Sequence, residues 1–485
     1  MHRFVAVQRI TGMLLMLFSF TMVPPIIVDQ LTEATTTGPF LMGLWITFLT
    51  GALVWWPARK EHAELKTRDG FLITVLFWAV LGAFGAIPLF FADEAWHSYT
   101  DAVFEAVSGL TTTGATSVAS GLDELPPALN YYRAQLHWLG GMGIIVLAVA
   151  VLPMLGVGGM QLYRAETPGP LKNSKLTPRI TETARVLWLV YLSLTIACGL
   201  SFWAVGMPPF DALCHAFSTL ATGGFSTHDA SIGYFKSINV EYVAMLFMML
   251  GTINFATHFA VWRGRNLRFY WRDTELRVCI AIILLYTVMI WLLFVIHHTY
   301  SSPLLALHKA IFHVVSYGST TGFATDDPTH WPSPAPLLLM LSMFMVGCAG
   351  STAGGVKVVR LMLFVKQAMR EIQKLLHPSA EMGIKLGGKT LPDEVVYAVG
   401  AFFSVYIGCT IVLSFLMMLT GLDPVIAFSA IAATINNSGP GLGPVAASMA
   451  HVNAFGKWLM IFAMLLGRLE IFTLLIVFTP GFWRR

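Results

Sequence analysis

The sequence predicts an all-α membrane protein in which four repeats of span, short re-entrant helix and span surround one pseudo-four-fold axis, with two extra N-terminal transmembrane helices. Three observations carry that prediction. Of 485 residues, 56% are apolar and only 12% charged, whereas soluble chains carry about a quarter charged residues. Ten stretches are long and apolar enough to cross a bilayer. One short pattern also recurs four times at similar intervals, and such self-similarity marks a repeat architecture.

The ten stretches follow in order. Ile10 to Val28 and Thr35 to Ala58 form the amino-terminal pair, within residues 1–60. Gly70 to Ala92 and Ala134 to Tyr163 belong to a first repeat at 70–160, and Val186 to Phe210 and Tyr242 to Trp262 to a second at 181–265. Val278 to His308 and Trp331 to Val356 fall in a third at 276–370, and Val395 to Leu422 and Lys457 to Trp483 in a fourth at 393–482. Each supplies the ~20 apolar residues a membrane-crossing helix needs; only the last is interrupted, by Arg468 and Glu470. The first stretch contains Pro24-Pro25 and no small-residue cleavage pattern, so it reads as a retained span rather than a signal peptide. The five cysteines all lie in apolar stretches without metal-type spacing and are expected as buried small hydrophobes, not disulfides.

Basic residues stay preferentially on the cytoplasmic side of span ends. Ten spans with both termini cytoplasmic put 25 of the 30 Lys and Arg inside, and a one-span error would destroy that asymmetry. Outside remain Arg133, Lys236, Lys309 and Lys457.

The recurring pattern lies on the predicted outer side, where a short apolar stretch precedes a small glycine turn. It reads DAVFEAVSGL-TTTGATS from Asp101, DALCHAFSTL-ATGGFST from Asp211, KAIFHVVSYG-STTGFAT from Lys309 and DPVIAFSAIAAT-INNSGPG from Asp423. Gly114, Gly224, Gly322 and Gly439 align, spaced by 110, 98 and 117 residues. About ten helical residues reach only ~15 Å, half of a hydrocarbon core near 30 Å, so these helices dip in and return. Asp101, Asp211 and Asp423 are expected at N-caps near the outer surface, with the negative helix ends aimed at mid-membrane.

Such a constellation suits a cation. Taking a bare monovalent ion into low dielectric costs on the order of 20 kcal/mol, so lost hydration must be replaced. Rings of backbone carbonyls replace it for K⁺, and glycine permits the carbonyl-inward conformation. Irregular backbone at membrane depth is tolerated only where protein or water surrounds it. One TTTGA could be simple helix packing; four matched copies after four matched half-helices point to a pore.

On the motifs TTTGAT (111–116), ATGGFST (221–227), STTGFAT (319–325) and NNSGPG (436–441), the chain resembles the Trk/Ktr/HKT superfamily of potassium transporters over essentially its whole length. Within it the chain is similar to the bacterial TrkH/TrkI type of membrane subunit. The resemblance implies span–pore helix–span units around a single pore. It also implies a K⁺ filter built from the four glycines and the pairs before them, Thr112-Thr113, Thr222-Gly223, Thr320-Thr321 and Asn437-Ser438. Only the first glycine of the TVGYG pattern of tetrameric K⁺ channels is shared, and Ala115, Phe225, Phe323 and Pro440 follow it, which implies fewer ion sites and weaker selectivity. Serine at the first glycine position goes with Na⁺ transport in plant relatives; glycine at all four favours K⁺ here, with Rb⁺ and some Na⁺ as passengers.

Below the filter, GCAGSTAGGVK at 347–357 is too rich in glycine and small polar residues for a firm helix, since each Gly costs up to about 1 kcal/mol against Ala. The resemblance implies an intramembrane gating loop containing Gly347, Gly350, Ser351, Thr352, Gly354 and Gly355. Arg468, about eleven residues into the last span, is expected to face the pore as an electrostatic barrier. Glu470 is its nearest carboxylate in sequence but does not share its helix face; Glu105 or loop carbonyls are the alternative partners. Glu105 is expected to add negative potential near the ion path. Asn254, His215, His258 and His313 read as packing or hydrogen-bonding residues, because metal binding needs more ligands at closer spacing.

No HExxH or GxSxG motif suggests an enzyme. Parallel repeats favour a fixed pore over a symporter in which H⁺ or Na⁺ drives K⁺ uptake, since transporters often use inverted repeats. Nucleotide binding is not expected of this chain itself, no cofactor beyond transported K⁺ is expected, and no nucleic-acid partner is implied. The resemblance implies a homodimer in a bacterial inner membrane, one pore per subunit, and control by a TrkA-type ring of cytoplasmic nucleotide-binding RCK domains.

Overall fold

Apolar side chains that a soluble protein would bury are here turned outward. Leu17, Trp45, Leu53, Trp56, Leu284 and Phe415 are all exposed, as expected where lipid replaces water around the helices. The computed structural model describes residues 4–60, 67–146, 180–380, 382–387 and 389–484. Six helices there are long and apolar enough to span a bilayer: Val5–Leu31, Thr37–Ala58, Arg68–Ala92, Ala184–Ala204, Thr274–Ile296 and Asp393–Met418.

Two further spans are bent pairs. Ile238–Thr252 and Phe255–Gly264 meet at 98°, and Ala454–Arg468 and Phe472–Phe478 at 112°. The second span of repeat 1 is helical over Pro127–Val146, and the rest of that predicted span, with the loop after it, lies outside the described residues. The second span of repeat 3 is a short helix, Ala335–Ser342, then non-helical chain over 343–357, then the amphipathic helix Val358–Leu376. The break expected there is present, and repeats 2 and 4 break as well, which the sequence reading does not anticipate. A small hairpin pairing Lys385–Leu386 with Lys389–Thr390 is equally unanticipated.

The amino-terminal pair crosses on small residues. A Cβ on Gly12 would fall 2.7 Å from the Gly51 carbonyl oxygen and one on Gly51 2.8 Å from that of Gly12, a backbone approach that membrane helices use for packing. Asp29 closes the hairpin, accepting from Thr36 N at 3.0 Å and from Thr37 Oγ1 at 2.5 Å.

The four re-entrant helices are Tyr99–Leu110, Pro209–Leu220, Pro303–Gly318 and Pro424–Ile435. Three have 12 residues, which is ~18 Å of rise; the third has 16, longer than expected because Ser302-Pro303 starts it well before Lys309. Their starts correct the expected caps. Ser98 is the first cap, accepting from Asp101 N at 3.1 Å while its hydroxyl donates to Asp101 Oδ2 at 2.7 Å; this reciprocal box puts Asp101 at the third helical position. Asp211 is likewise third, after Pro209-Phe210, and only Asp423 is an N-cap, without a side-chain bond. The cysteines are free, and all are buried except Cys409, which is half-buried.

Candidate functional site

Each re-entrant helix ends in the same way. The residue two before the aligned glycine has left-handed backbone, with φ of 50° at Thr112, 51° at Thr222, 59° at Thr320 and 54° at Asn437. The glycines follow at 79°, 87°, 81° and 90° for Gly114, Gly224, Gly322 and Gly439. The intervening residue reaches back to the helix through its N–H, Thr113 to Ser108 O and Gly223 to Ser218 O at 2.8 Å, Thr321 to Ser316 O at 2.9 Å and Ser438 to Ala433 O at 2.8 Å. Alternating backbone hand turns successive carbonyls to one side, so one face of each turn is lined with oxygen.

The four turns form a closed ring. A Cβ on Gly114 would sit 1.9 Å from Gly223 O, one on Gly224 1.9 Å from Thr321 O, one on Gly322 2.3 Å from Ser438 O, and one on Gly439 2.6 Å from Thr113 O. Each glycine therefore abuts the carbonyl just before the next repeat's glycine, and the fourth returns to the first. Any side chain at these positions meets backbone, not movable atoms. A cavity of about 460 Å³ opens on this ring, lined by all four glycines and by Asp229 and Asp326 among others.

Behind the ring, equivalent positions brace the first three turns by different chemistry, while the fourth repeat carries Ala430 there. Glu105, fully buried, accepts from Arg133 Nε at 2.8 Å, Thr116 Oγ1 at 3.0 Å and Ser117 N at 2.8 Å. His215 lies 3.0 Å from Ser226 Oγ through Nε2, and Thr325 N donates to His313 Nε2 at 3.5 Å. Glu105 thus meets Arg133, whose opposite charge balances its own, rather than Arg468. His258 bonds Tyr270 Oη and Leu250 O, both at 2.8 Å. Among the described residues no group of three His, Cys, Asp or Glu could hold a metal ion.

Beneath the ring, the third-repeat segment passes across the axis and touches the feet of the turns. Gly354 N donates to Thr320 Oγ1 at 2.7 Å, Thr352 Oγ1 lies 3.3 Å from Thr222 Oγ1, and Gly355 N donates to Asn436 O at 3.1 Å. Gly347 and Gly354 allow the close passage, since a Cβ on either would fall 2.6 Å from Gly354 O or 2.0 Å from Asn436 O respectively. Gly350 O accepts from Phe255 N at 3.1 Å, at the break in the second-repeat span that Asn254 recaps by accepting from Ala256 N at 2.8 Å. Ser351 closes a bond within the segment to Cys348 O at 2.6 Å, and the Lys357 ammonium bonds Ala353 O.

Arg468, buried at the end of its helix, completes this layer. Its Nη2 donates to Thr112 Oγ1 at 2.6 Å and to Thr352 O at 3.1 Å, so of the alternative partners it takes a loop carbonyl. Glu470 lies in the helix break and pairs with Arg360 at 2.8 Å. Two residues that sequence reasoning missed stand beside these. Glu275 Oε1 accepts from Ala349 N at 2.8 Å and Val359 N at 3.3 Å, tying both ends of the segment to the third-repeat outer span. His137 stacks on Phe225 with ring centroids 4.2 Å apart, directly behind Gly223. The one available signal was Gly223 itself, where the other repeats carry Thr or Ser.

Known proteins place this architecture. The chain is 51% identical over 484 residues, covering both chains fully, to "Trk system potassium uptake protein TrkH" of Salmonella typhimurium. It is 31% identical over 490 residues, with 100% of this chain and 98% of the other covered, to "Trk system potassium uptake protein TrkI" of Halomonas elongata. The crystal structure of the potassium transporter TrkH from Vibrio parahaemolyticus superposes with a TM-score of 0.92 at 50% identity, covering 99% of this chain and 100% of that one. The profile of the family described as TrkH, cation transport protein, matches residues 38–484. These relatives are transporters rather than enzymes, and the chain belongs to the TrkH family of cation transport proteins.

Proposed function

We propose that this chain takes up K⁺ across the bacterial inner membrane by channel-like conduction through the ring of Thr112–Gly114, Thr222–Gly224, Thr320–Gly322 and Asn437–Gly439. The carrying observation is the closed contact of each glycine with the next repeat's carbonyl. Four oxygen-lined turns at one level supply in place of water the ligation a K⁺ ion requires. Residues 347–355 and Arg468 form the gate. They lie directly under the ring, and a cation moving inward meets a buried guanidinium bonded to Thr112. Relatives named as parts of a Trk system support a partner within that system, which we take to be a cytoplasmic TrkA-type nucleotide-binding ring acting on a homodimer. Three acidic residues that line the vestibule, Asp229, Asp326 and Asp327, raise the local cation concentration outside the ring.

Rubidium tracer flux into K⁺-loaded vesicles holding the purified protein tests the reading. Rubidium entry driven by the outward K⁺ gradient, with a reversal potential that ignores H⁺ and Na⁺ gradients, is the expected outcome. A reversal potential that follows either gradient in fixed stoichiometry overturns conduction in favour of symport.

A further inference from the structure

The four turns differ in what fills the space behind the residue preceding each glycine. In repeats 1 and 3 that residue is threonine, and its hydroxyl bonds a hydroxyl two positions earlier. Thr113 Oγ1 lies 2.8 Å from Thr111 Oγ1, and Thr321 Oγ1 2.8 Å from Ser319 Oγ. Each turn thereby carries its own internal tie. Repeat 2 has Ala221 and Gly223 at the same two positions and can make no such bond.

The vacated space is occupied from outside the turn. A Cβ on Gly223 would fall 2.3 Å from His137 Nδ1 and 2.5 Å from its Cγ, so the imidazole stands where a side chain at 223 would be. His137 comes from the second span of repeat 1, is fully buried, lies 3.3 Å from Ser218 Oγ and stacks on Phe225 at 15° between ring planes. Ser218 O holds Gly223 N, and Phe225 follows Gly224, so the ring touches the chain on both sides of the oxygen-lined residues. Arg133, one helical turn away, lies 4.3 Å from the Phe225 centroid. Close-packed interiors transmit displacement, and a turn with glycine at two successive positions has the least stiffness of its own.

We infer that His137 is a specificity-determining positioning residue: its ring replaces the missing side chain of Gly223 and holds the second-repeat carbonyls at the distance that separates K⁺ from Na⁺. This rests on the reading of the ring as a K⁺ filter. His137 does not touch the ion; it acts through Gly223 and Phe225.

The test exchanges one device for the other. In vesicles, K⁺ over Na⁺ permeability is measured for the wild type, His137→Ala, Gly223→Thr, and the triple variant Ala221→Ser/Gly223→Thr/His137→Ala, with the thermal midpoint of each purified protein as a control. His137→Ala is expected to lose about tenfold in selectivity, the scale of one badly filled contact at a discriminating site. Gly223→Thr, which must collide with the ring, is expected to lose flux. The triple variant, with the internal tie of repeats 1 and 3 and room for it, is expected to recover both. Unchanged selectivity in His137→Ala overturns the inference. So does a triple variant less selective than wild type, and this second arm decides the matter if His137→Ala does not fold. A wild type that passes no K⁺ overturns the parent reading instead and is seen before any variant is compared.

Discussion

The outer and inner halves of the molecule obey different rules. Outside, four turns repeat the same backbone angles to within about ten degrees and close one ring. Inside, no two described inner spans break alike: one bends by 98° at Asn254, one unravels over 343–357, and one bends by 112° after Arg468. Coordinating an ion on an axis needs equivalent ligands on all sides. Closing a path needs one element that moves against the others, and four equal obstacles would have to move together. The repeat is therefore kept where oxygens face the axis and abandoned directly below it.

The comparison breaks most visibly at the ring. Gly224→Ala places a methyl 1.9 Å from the Thr321 carbonyl oxygen at a φ of 87°, where no flexible side chain can yield. Near-complete loss of rubidium flux is expected, whereas Gly408→Ala, with open space around its Cβ, should leave flux unchanged and stabilise its helix by up to ~1 kcal/mol. Equal flux in the two variants would remove the ring from the ion path.

The next effect is on stability. Glu105 and Arg133 are 0% and 1% exposed and bonded at 2.8 Å. Truncating one partner of such a buried pair leaves the other charge unmatched, at ~3–5 kcal/mol. Glu105→Ala should lower the thermal midpoint in detergent far more than His313→Ala at the equivalent position of repeat 3, which removes a neutral brace. Similar midpoints would mean that the turns are held chiefly from elsewhere.

Below the ring, Arg468→Ala removes the bridge from Thr112 to Thr352. Basal flux is expected to rise about tenfold, equivalent to lowering a barrier by ~1.4 kcal/mol, with the ratio of K⁺ to Na⁺ unaltered because the glycine-to-carbonyl contacts that close the ring do not involve Arg468. Unchanged basal and activated flux would withdraw the gate from this residue. Glu275→Gln keeps an acceptor for Ala349 N but weakens a charge-assisted bond, so a smaller rise in basal flux is expected from the same assay.

These two halves were also unequally legible. The turns could be read because four short copies with one glycine each leave a signal that composition alone does not erase. The loop could be read because GCAGSTAGG is locally unlike a helix. The break at Asn254 could not, since one asparagine in an apolar run is compatible with an unbroken span, and only Gly350 O meeting Phe255 N shows why the chain turns. Pairings were least accessible of all. Arg468 and Thr112 are 356 positions apart, and Glu105 meets Arg133 because the re-entrant helix folds back on the span that follows it. Two of the three expected caps failed for a local reason: aspartate suits the third helical position as well as the N-cap, and at Asp101 it is Ser98 that decides between them, whereas Asp423 is the cap expected.

The smallest expected effect lies at the outermost edge, where loops of repeats 1 and 2 clasp. Asp229 accepts from Gly121 N at 2.7 Å and Leu122 N at 3.0 Å, while Asp123 lies 2.5 Å from His228 Nδ1 and accepts from Asp229 N at 3.1 Å. Desolvation works to raise the pKa of Asp123, but its bonds to His228 and Asp229 N outweigh it and leave the carboxyl below its ordinary value. The sign follows: a depressed native pKa stabilises above the unfolded value near ~4 and loses that contribution as pH falls through the lower native value. With 38% of the side chain exposed, solvent screening limits the contribution to ~1 kcal/mol or less. Asp123→Asn should therefore shift the thermal midpoint slightly at pH 7, flatten its decline in acid and leave K⁺ over Na⁺ permeability as it was. A selectivity change in this variant would mean that the ring takes its shape from the loops above it rather than from the braces behind it.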